Sequence, residues 1–348
     1  MFVAWRDLKF AKGRFALMGS VIVLITLLVG LLSGLTAGLG RQNVSAITGL
    51  PADHIAFAQG VSYADSAVTE EQWRRWAATP GVTGAEPLGI TTTKATAGDR
   101  SAGVSVFGVR PGSSLAPHEL AENAVVLSTV ATDDLGVRPG DSIVVAGRRL
   151  SVAAVSGDAS FSHTPVVWTT LDDWRPTGSD AFATVLALRA SNADTGATDQ
   201  ATGTRTVTVD ESLSAIGSYS SENGSLQLMR GLLFVISALV IGAFFTVWTV
   251  QRSADIAVLK ALGTTTAGLL RDALGQAVVL LTGGTLIGTG LAAALGAALS
   301  GTAIPFDLTP ATVLVPAAVT IVLGLLGAAL AVRRITSVDP LTALGSAR

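Results

Sequence analysis

The chain of 348 residues has no cysteine. This excludes a disulfide framework, a thiolate metal site and a cysteine nucleophile. Lysine is scarce. There are only four, Lys9, Lys12, Lys94 and Lys260, and none follows a glycine. The phosphate-binding pattern G-x-x-x-x-G-K-[ST] is therefore missing, and any nucleotide-driven work must be powered by another polypeptide. The three histidines, His54, His118 and His163, are scattered without metal-ligand spacing. His163 falls in Ser162-His163-Thr164-Pro165, a turn between two predicted strands, where a structural role is expected. No serine stands in a nucleophile-elbow pattern. The acidic pairs Asp133/Asp134 and Asp172/Asp173 flank turns and read as solvated surface rather than a glycosidase-like pair. Charged residues make up only 14% of the chain and the net charge is −2, which argues against nucleic acid as a partner. No catalytic residue is expected, so the chain by itself is not an enzyme.

What the chain does have is long apolar runs. A bilayer core needs roughly 20 apolar residues in a helix, and four stretches qualify: 15–39, 221–250, 269–299 and 311–332. The first is too long for the apolar core of a cleavable signal peptide and reads as a retained span. Residues 1–14 form a basic amphipathic lead suited to a lipid surface, with Phe2, Val3, Trp5, Leu8 and Phe10 among Arg6, Lys9, Lys12 and Arg14. Basic residues also mark 251–268 (Arg252, Lys260) and the tail 333–348 (Arg333, Arg334, Arg348), whereas the short loop 300–310 has none. The positive-inside bias therefore places both termini and the segment 251–268 in the cytoplasm. It places 40–220 and 300–310 outside the cytoplasmic membrane.

Residues 40–220 have ordinary soluble composition. Alternating apolar segments punctuated by Gly, Pro and Asp predict strands at 104–109, 123–127, 142–146, 150–155, 165–168 and 183–188. Thr69 and Gln72 form a capping-box pair before a helix over 69–78. A second helix is predicted over 128–135, closed by a Gly136–Asp141 turn. Residues 191–206, rich in Ala, Asp, Thr and Gly, read as a loop or a polar surface segment. The expected fold class is a membrane protein with four transmembrane helices and a large α+β domain inserted between the first and second.

The segment after the second span carries the most specific local signal. Asp255, Ile256, Val258, Leu259, Lys260, Ala261 and Leu262 form a short amphipathic pattern, and Gly263 suits its C-cap. Asp255-Ile256-Ala257-Val258-Leu259-Lys260-Ala261-Leu262-Gly263 resembles the [DE]-I-G-x-x-[KR]-A-[LMI]-G signature of FtsX-like and MacB-like ABC permeases, with Ala257 in place of the usual glycine. Arg333-Arg334-Ile335 followed by Asp339-Pro340-Leu341-Thr342-Ala343-Leu344 is similar to that family's C-terminal pattern. The order of one span, a large outer domain and three more spans matches along the whole chain. The resemblance implies a homodimer that binds two copies of a separate cytoplasmic ATPase through the 255–263 helix. ATP bound to that partner would drive movement up the second span to the outer domain.

The domain-proximal end of the second span is where a substrate could be read. Tyr219, Glu222, Leu226 and Met229 recur at three, four and three positions and share one helical face. Arg230 sits just inside the apolar limit, where an ionisable group is costly. Gly30, Gly34 and Gly38 make a small-residue stripe on the first span, which admits close approach of another helix or of a flat ligand. A thioether or phenolate can ligate haem iron, a carboxylate is chemically plausible, and Arg can pair with a propionate. The same residues also admit a plainer reading. Glu222 would complement the helix dipole, Met229 would pack, and Arg230 would snorkel to headgroups. Tyr219–Met229 and the opening Trp5–Phe15 resemble the haem-efflux permeases of Gram-positive bacteria. That resemblance implies haem as substrate, with Glu222 or Met229 as candidate iron ligands, and no intrinsic cofactor. The alternatives are a non-transporting FtsX-like mechanotransmitter controlling a cell-wall hydrolase, or an exporter of a peptide or lipoprotein.

Overall fold

In a computed structural model the described residues are 12–175, 181–251, 258, 263–299, 302 and 304–336. The chain divides into two compact units, Leu39–Gly224 and Met1–Gly38 with Ser225–Arg348. Among the described residues, four helices are long and apolar enough to cross a membrane: Phe15–Thr48, Tyr219–Gln251, Arg271–Leu299 and Pro310–Leu330. In chain order the elements are α1 (Lys12–Thr48), β1 (His54–Phe57), α2 (Glu70–Ala77), β2 (Val82–Ala97), β3 (Arg100–Val109), β4 (Ala124–Leu127), α3 (Thr129–Leu135), β5 (Ser142–Val145), β6 (Arg148–Val155), β7 (Ser160–Phe161), β8 (Thr164–Thr170), α4 (Leu171–Trp174), β9 (Val185–Ala190), α5 (Thr195–Thr202), β10 (Arg205–Thr208), α6 (Val209–Ser212), α7 (Tyr219–Gln251), α8 (Thr266–Leu299) and α9 (Pro310–Thr336).

In the membrane unit, the helices meet through apolar side chains and glycines. Phe15, Met18 and Ile22 of α1, Ile241, Phe245 and Trp248 of α7, Ala277, Leu280 and Leu281 of α8 and Ala328 of α9 form one buried cluster. Of the glycines of α8, Gly284 and Gly288 face α1. A Cβ at Gly288 would lie 2.6 Å from the Val23 carbonyl oxygen, whereas Gly283 and Gly290 face open space. Small residues are used at helix contacts because lipid provides no hydrophobic drive and close backbone approach must supply the packing.

The strands of the soluble unit form one mixed sheet in the order β10-β1-β9-β2-β3-β8-β4-β6-β5. β3 and β8 run parallel, as do β4 and β6, and the remaining neighbours are antiparallel. The end of β2 also pairs with β5, Ala95 with Val145 and Thr96 with Val144, so the pairings β2-β3-β8-β4-β6-β5 close on themselves. Val104, Val106, Val125, Leu127, Ile143, Val152 and Val167 fill one core on this closed portion. A second core collects Ile55, Phe57, Leu88 and Phe107 with Ala46 and Ile47 from the far end of α1 and with Leu213 and Ile216 from the lead into α7. Both chain entries to this unit are thus anchored in its core.

The predicted strands form within β3, β4, β5, β6, β8 and β9. The Thr69/Gln72 capping box is present on α2, and Gly136 closes α3 in the left-handed region at φ 65°. Residues 191–206 form a polar surface segment rather than a loop, with helix α5 and the start of strand β10. Asp194 caps α5 by accepting from Ala197 N–H, Gly203 ends it, and the Asp199 carboxylate holds Thr204 and Thr206 at the start of β10. The segment is ordered by side-chain capping, and no α5 residue is buried. This is why apolar periodicity did not reveal it.

Candidate functional site

Glu222 lies in the first turn of α7, where a carboxylate complements the helix dipole. Its Oε2 accepts from Asn43 Nδ2 at 3.0 Å and from His163 Nε2 at 2.6 Å. Each of the three groups comes from a different part of the chain. Asn43 is on the far end of α1 and is buried. It is held in turn by Ser218 Oγ, which donates to its Oδ1 at 3.3 Å. His163 sits at the tip of the β7–β8 hairpin. Glu222 itself is half-exposed.

The hairpin tip is built to deliver His163. Phe161 pairs with Thr164, so Ser162 and His163 are the two central residues of a two-residue loop. Both have positive φ, 49° and 62°, as a type I′ turn requires. That turn favours Asn-Gly, and left-handed conformations cost side-chain-bearing residues energy. The backbone is tied down on the α1 side. Ser162 N–H donates to the Asn43 carbonyl at 3.0 Å and His163 N–H donates to that of Gln42 at 3.1 Å. Ser45 Oγ accepts from Ser160 N–H at 2.9 Å, and Arg41 pairs with Asp158 at 2.7 Å. The hairpin therefore clasps the last turns of α1 and offers its imidazole to α7.

The other predicted substrate residues are placed differently. Tyr219 packs against the domain core. Met229, further along α7, is 46% exposed. Arg230 is half-buried, and its Nε is buried with no hydrogen-bond partner among the described residues. The glycine stripe meets other parts of the chain. Gly30 abuts Ala292, Gly34 abuts the Phe306 ring, and Gly38 abuts the Pro305 carbonyl. Asp307 N–H also donates to the Gly34 carbonyl at 3.1 Å. Among the described residues, packing within the chain takes up the close approach these glycines permit.

Of the expected ATPase-coupling residues, Asp255, Ile256, Leu259, Lys260 and Leu262 lie outside the described residues. Val258 is helical and exposed, and Gly263 has φ 92°, a backbone conformation suited to a capping glycine. The tail pattern Asp339–Leu344 also lies outside the described residues, as does the amphipathic lead over residues 1–11. No group of three or more His, Cys, Asp or Glu that could hold a metal ion occurs among the described residues. Sequence reasoning selected Glu222 but missed Asn43 and His163 as its partners, which are 179 and 59 positions away. The only signal available was an unusual Ser-His pair at a predicted tight turn.

Residues 228–340 match the family described as FtsX-like permease C-terminal. Over 99% of both chains, the protein is 26% identical to a Staphylococcus haemolyticus protein named as the hemin transport system permease HrtB. It is 24% identical, over 99% of both chains, to an uncharacterized ABC transporter permease of Mycobacterium tuberculosis. Among solved structures, the periplasmic region of MacB from Actinobacillus actinomycetemcomitans aligns with 47% of this chain and 92% of that one, at 13% identity and a TM-score of 0.37. Residues 228–340 thus match an FtsX-like permease domain, and the chain, with four apolar helices and a large α+β domain between the first and second, is similar along its whole length to proteins named as ABC-transporter and hemin-transport permeases.

Proposed function

We propose that the chain is the membrane subunit of an efflux pump for haem, working as a homodimer with a separate cytoplasmic ATPase. Both termini and residues 251–268 face the cytoplasm, in keeping with the basic residues there, and the domain 39–224 lies outside. ATP binding on the partner moves the 255–263 segment, and the movement passes along α7. Haem is taken from the outer leaflet, with Glu222 and Met229 as candidate iron contacts and Arg230 as a candidate partner for a propionate. The observation that carries the substrate assignment is whole-length similarity to proteins named as hemin permeases. Glu222, the half-exposed carboxylate at the start of the second span, supports it. Titration of the purified dimer with haemin tests the proposal. A saturable Soret band weakened by Glu222→Ala with Met229→Ala is expected, and no specific absorbance would exclude haem as the substrate.

A second reading is favoured by the clasp of the β7–β8 hairpin on α1 and α7. Both helix ends are tied to the domain, as a mechanotransmitter acting on an external hydrolase would require. Under that reading, loss of the gene changes cell-wall turnover and leaves haem tolerance untouched.

A further inference from the structure

Resting on the reading of Glu222 as a substrate contact, we propose that His163, with Asn43, is its positioning residue. Together they hold one carboxylate oxygen so that the other is presented to the ligand.

The hydrogen-bond pattern carries the inference. Asn43 Nδ2 and His163 Nε2 both bond Oε2 of Glu222. Oε1 has no partner among the described residues, and the side chain is 43% exposed. A carboxylate held by one oxygen and free at the other is set up to bind a cationic or metal centre through a single atom. Ligating side chains are commonly oriented by such outer hydrogen bonds. The backbone supplies an independent argument. The Ser162-His163 turn places two side-chain-bearing residues at positive φ where Asn-Gly would fit without strain. Strained positions persist where surrounding structure holds them for a purpose. Here the imidazole reaches Glu222 while the turn's N–H groups donate to the carbonyls of Gln42 and Asn43. A residue needed only to turn the chain would not have to be histidine.

The test compares haemin titrations of the full-length permease as wild type, His163→Gly, His163→Gln and Glu222→Ala. His163→Gly removes the imidazole while suiting the turn, so folding is preserved. His163→Gln restores an N–H donor the same number of bonds from Cα as Nε2. Removing an outer-shell partner typically weakens metal affinity by about 10–100-fold. His163→Gly should show that loss, and His163→Gln should recover most of it with an unchanged Soret maximum. Unchanged affinity in His163→Gly beside a clear loss in Glu222→Ala would overturn the positioning role alone. Equal loss in His163→Gly and His163→Gln, with a shifted Soret maximum, would make His163 an iron ligand and also overturn it. Unchanged affinity in Glu222→Ala would overturn the underlying reading of the site. A haem-independent readout is the Glu222 carboxylate stretch, obtained by difference infrared spectroscopy against Glu222→Gln. It should shift in His163→Gly and return in His163→Gln, and a band that ignores both substitutions would refute the contact.

Discussion

Gly288 and Gly290 lie two residues apart on α8, yet the same substitution should act on them in opposite directions. A Cβ at Gly288 would sit 2.6 Å from the Val23 carbonyl oxygen, 2.8 Å from Thr26 Cβ and 3.2 Å from Leu27 N. Ordinary contact begins at 3.4 Å, so α1 would have to retreat by roughly 0.8 Å, and two of the three neighbours are backbone atoms that cannot rotate away. Overpacking of this kind costs about 1–3 kcal/mol. Replacing a mid-helix glycine with alanine contributes about 0.5–1 kcal/mol in the other direction. The clash therefore wins at Gly288, with a net loss of about 1–2 kcal/mol. At Gly290 nothing lies within 4 Å, so only the helix gain remains. Since 1 kcal/mol shifts Tm by about 2–4 °C in domains of 150–250 residues, thermal unfolding of the purified protein should place Gly288→Ala several degrees below wild type. Gly290→Ala should lie at or slightly above it. Equal melting of the two variants would refute the α1–α8 contact.

Three further outcomes follow from the same structure. Trp174 is buried against Gly89 and Gly108 of the neighbouring strands β2 and β3, and its indole N–H donates to Thr91 at 2.9 Å. Trp174→Ala should destabilise the soluble unit by about 3–5 kcal/mol, measurable as faster limited proteolysis of residues 39–224. Burial pushes the Tyr63 hydroxyl well above its ordinary value, partly offset by its hydrogen bond to Ser212. A value raised on folding means that the neutral phenol is favoured in the folded state. Stability should therefore be full below pH ~10 and fall as the pH rises further. Tyr63→Phe should flatten that alkaline decline in melts taken across pH, and an unchanged decline would assign it to another group. Under the proposed function, Lys260→Glu or Leu259→Asp should leave haemin binding intact while abolishing stimulation of the partner ATPase. Loss of both together would instead indicate misfolding.

Local signals were legible in the sequence wherever one element carried them alone. Thr69 and Gln72 announced the start of α2, and Gly136 the end of α3. The four apolar runs were visible by length and composition. β2 was not, because Gly84, Pro87, Gly89 and a run of threonines resemble a loop. Its strand conformation depends on pairing with β3 and β9 on its two edges. The glycine stripe Gly30, Gly34, Gly38 was recognisable as a close-approach surface. What approaches it depends on Ala292, Pro305 and Phe306, more than 250 positions downstream in the chain. The site was legible only in part for the same reason. Glu222 stood out by its place in a helical pattern, but its orientation is set by Asn43 and His163, which only the fold brings to it.

In the proposed function, the domain-proximal end of α7 recognises haem through Glu222. Haemin titration of the purified wild-type permease and of Glu222→Ala tests it most directly. A saturable Soret band in the wild type and marked weakening of binding in the variant are expected. A wild type without specific absorbance, or a variant that binds haemin as the wild type does, would contradict it.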